Sequence, residues 1–285
     1  MTKFGGQSMV GRLRRVLVRK PDQNFGDADP AQWHYTKRPD LLKAAREHDR
    51  LVQILADFGA EIIFHEEYLP HHADSVFVHD PVLICDRGAV ILKMGKNLRR
   101  GEEDAIAKSL QKAGFPVHYR MEGDAQCEGG DLLWLDDETL AVGLGYRTNL
   151  EGFRQLGLAL PGVELIPVQL PHYRGPDACL HLMSTISIVD SDLAVVYRPL
   201  TSVVFLQELI RRGFELVDVP EEEFERMGPN VLALSPRECV MLEGSPITTK
   251  RLESAGCHVI TYNGEQLSWV AEGGPTCLTR PILRG

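Results

Sequence analysis

Strand and helix signals recur along this chain with a period of about 40–50 residues, and a repeat of that length leaves few folds open. Each copy reads as two short apolar strands around a tight turn, an amphipathic helix ending near glycine, and a third strand. Residues 81–85 and 88–92 flank the turn Asp86-Arg87, a helix from Glu102 stops at Gly114, and residues 116–119 extend again. The same order is read in 131–168, with a break at Asp136-Asp137, in 184–219 and in 230–262. The first copy has a strand at 13–19, a helix from the N-cap Asp40 to Gly59 and a strand at 61–64, so it lacks one strand. The segment after Gly274 can supply it and close a ring, which removes the unpaired sheet edges an open array would leave. The expected fold is α/β, a five-fold pseudosymmetric propeller of strand–strand–helix–strand units. With no interdomain linker in sight, residues 1–285 are expected to form a single domain.

Charge and cysteine usage narrow the function. A formal net charge of −9 argues against nucleic acid, whose affinity rests on Lys and Arg at phosphates. It is compatible with a cationic small molecule. No apolar run approaches the roughly 20 residues that span a bilayer, and the first residues lack an apolar signal region, so a cytoplasmic protein without a membrane partner is expected. Six cysteines, Cys179 among them, are scattered without CxxC spacing, which argues against a disulfide framework or a zinc site. A homodimer is compatible with the sequence.

Polar residues gather where the first strand of a unit begins. Asp80 follows Val76-Phe77-Val78-His79, Glu128 precedes Gly129-Gly130-Asp131, and His181 lies between Leu180 and Leu182. Cys277 opens the closing strand, in the turn Gly273-Gly274-Pro275-Thr276. Pseudo-rotation carries equivalent positions to one axis, so these groups converge without being adjacent in sequence. Cysteine, histidine and carboxylate together make a nucleophile, its acid–base partner and the group that orients that partner. Singly, each has a plainer reading: a core histidine, turn acids, a packed thiol. Arg99, Arg100 and Arg147 lie in loops, where arginine is usually solvated but is also the residue of choice for gripping a carboxylate. Residues 21–39, with Phe25, Trp33, His34 and Tyr35, form a long stretch without periodicity, either a pinned surface loop or a flap.

Taken together these fragments resemble the guanidino-group-modifying, or pentein, superfamily of arginine deiminases, amidinotransferases and dimethylarginine dimethylaminohydrolases. The resemblance is carried by Val76-Phe77-Val78-His79-Asp80, Glu128-Gly129-Gly130-Asp131, Arg147-Thr148-Asn149, Leu180-His181-Leu182 and Gly273 to Cys277. It is greatest to the dimethylaminohydrolases, since Met183 stands where deiminases usually carry aspartate. His79 departs from their usual glutamate, and Cys277-Leu278-Thr279-Arg280-Pro281 is closer to deiminases and amidinotransferases. The resemblance implies a hydrolase acting on methylated or otherwise N-substituted arginine, with Cys277 as nucleophile, His181 as acid–base and Glu128 orienting it. Asp80, with Asp74 as a second carboxylate and His79 beside it, would bind the guanidinium, while Arg99 and Arg147 hold the α-carboxylate. Citrulline and an amine would leave, and no metal or organic cofactor is implied. Plain arginine hydrolysis, amidino transfer and a non-catalytic guanidino-binding protein are the alternatives.

Overall fold

The computed structural model describes residues 4–178 and 180–285, so Cys179 lies outside the described residues. Its strands pair into five three-stranded sheets. The first blade holds β1 (Leu13–Val18) and β2 (Glu61–Phe64). The second holds β3 (Val82–Cys85), β4 (Gly88–Ile91) and β5 (Val117–Arg120), and the third β6 (Leu132–Trp134), β7 (Thr139–Leu144) and β8 (Glu164–Gln169). The fourth is β9 (Ile186–Asp190), β10 (Leu193–Val196) and β11 (Glu215–Asp218), and the fifth β12 (Leu232–Ser235), β13 (Glu238–Leu242) and β14 (His258–Tyr262). The last strand, β15 (Arg280–Arg284), pairs antiparallel with β1, so the ring closes as the repeat predicts. In every blade the first two strands are antiparallel and the third lies parallel to the second. An antiparallel pair needs only a turn, whereas a parallel one needs a crossover, and a helix supplies it here.

The helices in chain order are α1 (Gln23–Gly26), α2 (Pro30–Trp33), α3 (Leu41–Asp57), α4 (Glu102–Lys112), α5 (Leu150–Ala159), α6 (Val203–Arg211), α7 (Glu221–Phe224) and α8 (Pro246–Ser254). Asp40 caps α3, its Oδ1 accepting from the Lys43 amide at 3.1 Å. At α5 the cap is Asn149, which accepts from the Gly152 amide at 2.8 Å. The hydroxyl of the preceding Thr148 donates to Asp131 at 2.6 Å. Residues 21–39 are more ordered than their lack of periodicity implies: Asp22 and Asp29 cap α1 and α2, and Phe25, Trp33 and Tyr35 are buried.

Both faces of the inner strands are buried, because each blade packs against two neighbours. Successive side chains point to opposite faces of a strand. Leu83 of β3 therefore joins a cluster with Leu132 and Val142 of the third blade. Its neighbours Val82 and Ile84 join one with Leu17 and Ile282 of the first. The same hand-over repeats at the remaining blade junctions. A fully buried side chain of this size contributes about 1.5–3 kcal/mol, so the inner strands read as continuous apolar runs rather than alternating ones. Outer strands such as β5 are only half covered. With its inner strands fixed this way, the ring delivers the chain just ahead of each one to a common centre.

Candidate active site

Each blade contributes one polar residue just ahead of its first strand: Asp80 before β3, Glu128 before β6, His181 before β9, Asn230 before β12 and Cys277 before β15. Glu128 is fully buried. Its Oε2 lies 2.7 Å from His181 Nε2, and its Oε1 accepts from the backbone amides of Gly95 and Lys96, both at 2.9 Å. Arg147 Nη1 stands 3.6 Å from the same Oε2. Burial pushes this carboxyl up, but the His181 bond and the charges of His181 and Arg147 outweigh it and hold Glu128 well below the usual carboxylate range. With Nε2 given to Glu128, Nδ1 is the ring nitrogen turned towards Gly130, where an added Cβ would lie 2.5 Å from it. Glycine is required there by space.

Asp80 is held from two sides, by Arg99 Nη1 on Oδ2 at 2.6 Å and by the Gly130 amide on Oδ1 at 3.0 Å. Burial raises its carboxyl, yet Arg99 and the two neighbouring histidines, His181 and His79, take it well below the usual range. His79 bonds the Thr279 carbonyl through Nδ1 at 2.9 Å, which makes Nδ1 the donor and leaves Nε2 an acceptor. Nε2 is buried with no partner. Burial and the Arg280 charge push this imidazole down to about 3, so it is neutral.

The thiol of Cys277 is half-buried. Asn230 Nδ2 lies 3.6 Å from Sγ, while Asn230 Oδ1 accepts from the Thr276 amide and hydroxyl at 3.1 and 3.0 Å. Gly273 and Gly274 permit this turn by close approach, not by positive φ. An added Cβ would meet the Phe77 ring at 2.1 Å and Asn230 at 2.4 Å. The left-handed residue in this turn is Glu272, at φ 57°.

Two cavities meet at the thiol, and Asp80, His181, Glu272 and Cys277 belong to the walls of both. One is polar, with Asp74, Lys96, Arg99, Arg147 and the aromatic Trp33. The other, an apolar cavity by its wall of Leu180, Met183, Phe224 and Met227, also carries His79, Arg174, Glu225 and Asn230. Of the residues singled out by sequence, Cys277, His181 and Asp80 come together at this junction. Glu128 stands behind His181, His79 lines the apolar cavity and Arg147 the polar one.

Two expectations change. Asp74 lines the polar cavity together with Asp80, but its oxygens already have protein partners, Tyr35 Oη at 2.8 Å and Lys96 Nζ at 2.6 Å. Arg99 lines the polar cavity, but its guanidinium is already engaged by protein groups. It is buried, bonded to Glu102 through Nε and Nη2, to Asp80 through Nη1 and to the Phe77 carbonyl through Nη2. The reason is electrostatic: a buried guanidinium needs carboxylates, and Asp80 and Glu102 supply them. Sequence reasoning also passed over Asn230, Lys96 and Glu102. Asn230 had a usable signal, since it occupies the strand-start position of the fifth unit.

Among the described residues, no group of three or more His, Cys, Asp or Glu side chains is arranged to hold a metal ion. No helix of these residues is long and apolar enough to cross a membrane.

Residues 28–284 match the family model described as N,N dimethylarginine dimethylhydrolase, eukaryotic. The N(G),N(G)-dimethylarginine dimethylaminohydrolase of Pseudomonas aeruginosa is 26% identical over 271 residues, covering 94% of this chain and 98% of that protein. A solved structure of a Pseudomonas aeruginosa enzyme of that name, complexed with citrulline, has a TM-score of 0.79 at 24% identity, covering 96% of this chain and all of the other. The N-terminal domain of a cyanobacterial arginine dihydrolase has a TM-score of 0.83 at 20% identity, covering 95% and 98% of the two chains. The chain belongs to the dimethylarginine dimethylaminohydrolase family, within the pentein fold, as a hydrolase of guanidino C–N bonds.

Proposed function

We propose that the protein hydrolyses a methylated or otherwise N-substituted arginine to citrulline and an amine, through a thiouronium on Cys277. The observation that carries this reading is the buried 2.7 Å pair of His181 and Glu128, in the wall of the junction where Cys277 and Asp80 also stand. A nucleophile, an acid–base and its orienting carboxylate are thus contributed by three different blades.

Asp80 anchors the guanidinium. A carboxylate offers about four lone-pair sites, and the protein fills two of them, so a fork of two substrate N–H groups still fits. Arg99, backed by Glu102, fixes the plane of that carboxylate. The bound cation favours the thiolate of Cys277, which attacks the guanidinium carbon. His181, held by Glu128 through Nε2, gives a proton to the departing amine and then takes one from the attacking water. His79 Nε2 offers the guanidinium a neutral acceptor. The amino-acid end lies in the polar cavity, its carboxylate towards Arg147 and Lys96 and its ammonium towards Asp74. Closure of the ring by β15 on β1 supports reading residues 1–285 as one domain.

A screen of arginine, monomethylarginine and dimethylarginine, assayed for the ureido product and the released amine without added acceptor, tests this function. Turnover of a methylated arginine is expected. Product formation that requires an added amine acceptor would point to amidino transfer, and no reaction with any of the three would remove the hydrolase reading.

A further inference from the structure

The apolar cavity on the far side of the thiol has no task in holding the amino-acid end of a substrate. It has a free volume of about 120 Å³. For scale, an apolar cavity of about 150 Å³ is enough to take a benzene ring. Its wall is braced: the Phe224 ring stacks on Tyr197 with centroids 4.1 Å apart and meets the edge of Tyr173 at 6.1 Å. Leu180, Met183 and Met227 complete the apolar side. At the junction it shares Asp80, His181, Glu272 and Cys277 with the polar cavity. A guanidinium nitrogen facing Leu180 and Met183 meets no acceptor on those side chains, so an N–H there would be desolvated without compensation, whereas an alkyl carbon would not.

We propose that this cavity seats the N-substituent of the reacting guanidine, and that it takes substituents larger than methyl, up to a short alkyl chain or a small ring. The proposal rests on the guanidino-hydrolase reading above and names its substrate class more closely. Sγ forms a bond to the guanidinium carbon. The bond from that carbon to the substituted nitrogen breaks, its electron pair stays on nitrogen, and His181 supplies the proton. Water then replaces sulfur, so one water is consumed and a ureido group and a primary or secondary amine are produced. The amine is released into the apolar cavity.

The edge of that cavity favours a departing amine over an incoming one. Glu225 lines it and Glu272 stands at the junction, with a single arginine in the wall, Arg174, which pairs with Glu225 at 2.6 Å. Tyr173 Oη donates to the same Glu225 at 3.0 Å. Two carboxylates against one guanidinium favour the ammonium form, which is a good product and a poor nucleophile.

The test uses the full chain with Nω-methyl-, Nω,Nω-dimethyl-, Nω-propyl- and Nω-benzylarginine, following amine and ureido product. Nω-propylarginine is expected to have a kcat/KM at least equal to that of Nω-methylarginine. Leu180→Trp should lower the propyl-to-methyl ratio about tenfold or more, and Leu180→Ala should raise it, as expected when a pocket discriminates by methylenes. A wild-type ratio below about one tenth would overturn the proposal on the same scale, and this arm stands even if neither variant folds. A ratio unmoved in both folded variants would overturn it as well. Turnover of the methylated substrates alone would leave the hydrolase reading intact, whereas no turnover of any substrate would remove both.

Discussion

The two cavities that meet at Cys277 are built on opposite principles. In the polar one, nearly every charge already has a protein partner: Asp74 with Lys96, Arg147 with Glu128, and Arg99 between Asp80 and Glu102. Its groups are placed before any ligand arrives, so little rearrangement is left to oppose binding. The apolar cavity adds shape to its polar groups, through a wall of Leu180, Met183, Phe224 and Met227 held by the stacking of Phe224 on Tyr197. A fixed set of charges reads one kind of molecular end with precision. An apolar wall reads size, and reads it loosely, since a methylene changes affinity by only about 1–3 kcal/mol. The difference places recognition of the amino-acid end on one side of the thiol and tolerance of the substituent on the other.

Substitution at the shared wall should do the most damage, because it removes both halves at once. Cys277→Ser is expected to lower turnover by about 10⁴-fold or more while substrate still binds. Calorimetry beside a steady-state assay reads both quantities, and substantial residual turnover would break the assignment of the nucleophile. Next comes Glu128→Gln, which preserves shape and removes the charge that sets the His181 tautomer. A fall in kcat of about 10²–10⁴-fold is expected, with KM changed far less. Were KM to carry the effect instead, Glu128 would belong to binding rather than to proton transfer.

How far the sequence foretold this site can be judged residue by residue. Period and strand starts together located Asp80, Glu128, His181 and Cys277, and the same rule, applied to the fifth unit, leads to Asn230. The ring closure was legible for the same reason: a blade with two strands and a chain end with one apolar segment must find each other. Arg99 was misjudged because its partners are set by three-dimensional burial. Nothing in the spacing of Asp80, Arg99 and Glu102 says that the guanidinium will turn inward to two carboxylates instead of outward to solvent. The partners of Asp74 were hidden for a similar reason, since Tyr35 comes from a stretch with no periodic signal. The apolar cavity was not legible at all. Leu180 comes from the loop ahead of β9 and Phe224 and Met227 from the end of α7 and the turn after it, and none of them departs from what a core residue looks like in sequence.

Arg147→Ala separates the two cavities directly. Loss of a charge-assisted contact of about 1.5–3 kcal/mol should raise KM for arginine-type substrates by roughly 10–100-fold. An N-substituted guanidine without a carboxylate should be unaffected, because its binding draws only on Asp80 and the apolar side. An equal loss for both substrates would mean that Arg147 acts through Glu128 and that the cavities are not independent.

The smallest effect expected is on stability, and there the two sides should differ in sign. His79, on the apolar side, is pushed by burial from 6.5 down to about 3. Between those values the unfolded chain takes up a proton that the folded protein refuses, so this group destabilises the fold as pH falls below 6.5. Glu102, behind the polar side, is pushed by burial from 4.5 up to about 7, against the pull of Arg99. Between 4.5 and 7 the folded protein is the one that holds the extra proton, so Glu102 favours the fold as pH falls. Each group contributes a slope of at most about 1.4 kcal/mol per pH unit, and between pH 4.5 and 6.5 the two oppose each other. His79→Gln should therefore flatten the loss of stability on acidification, while Glu102→Gln should steepen it. Urea unfolding at half-unit steps across that window reads both slopes. Shifts of the same sign would mean that the charge on Glu102 is kept by Arg99 across the window, making the polar side an intact ion pair down to pH 4.5.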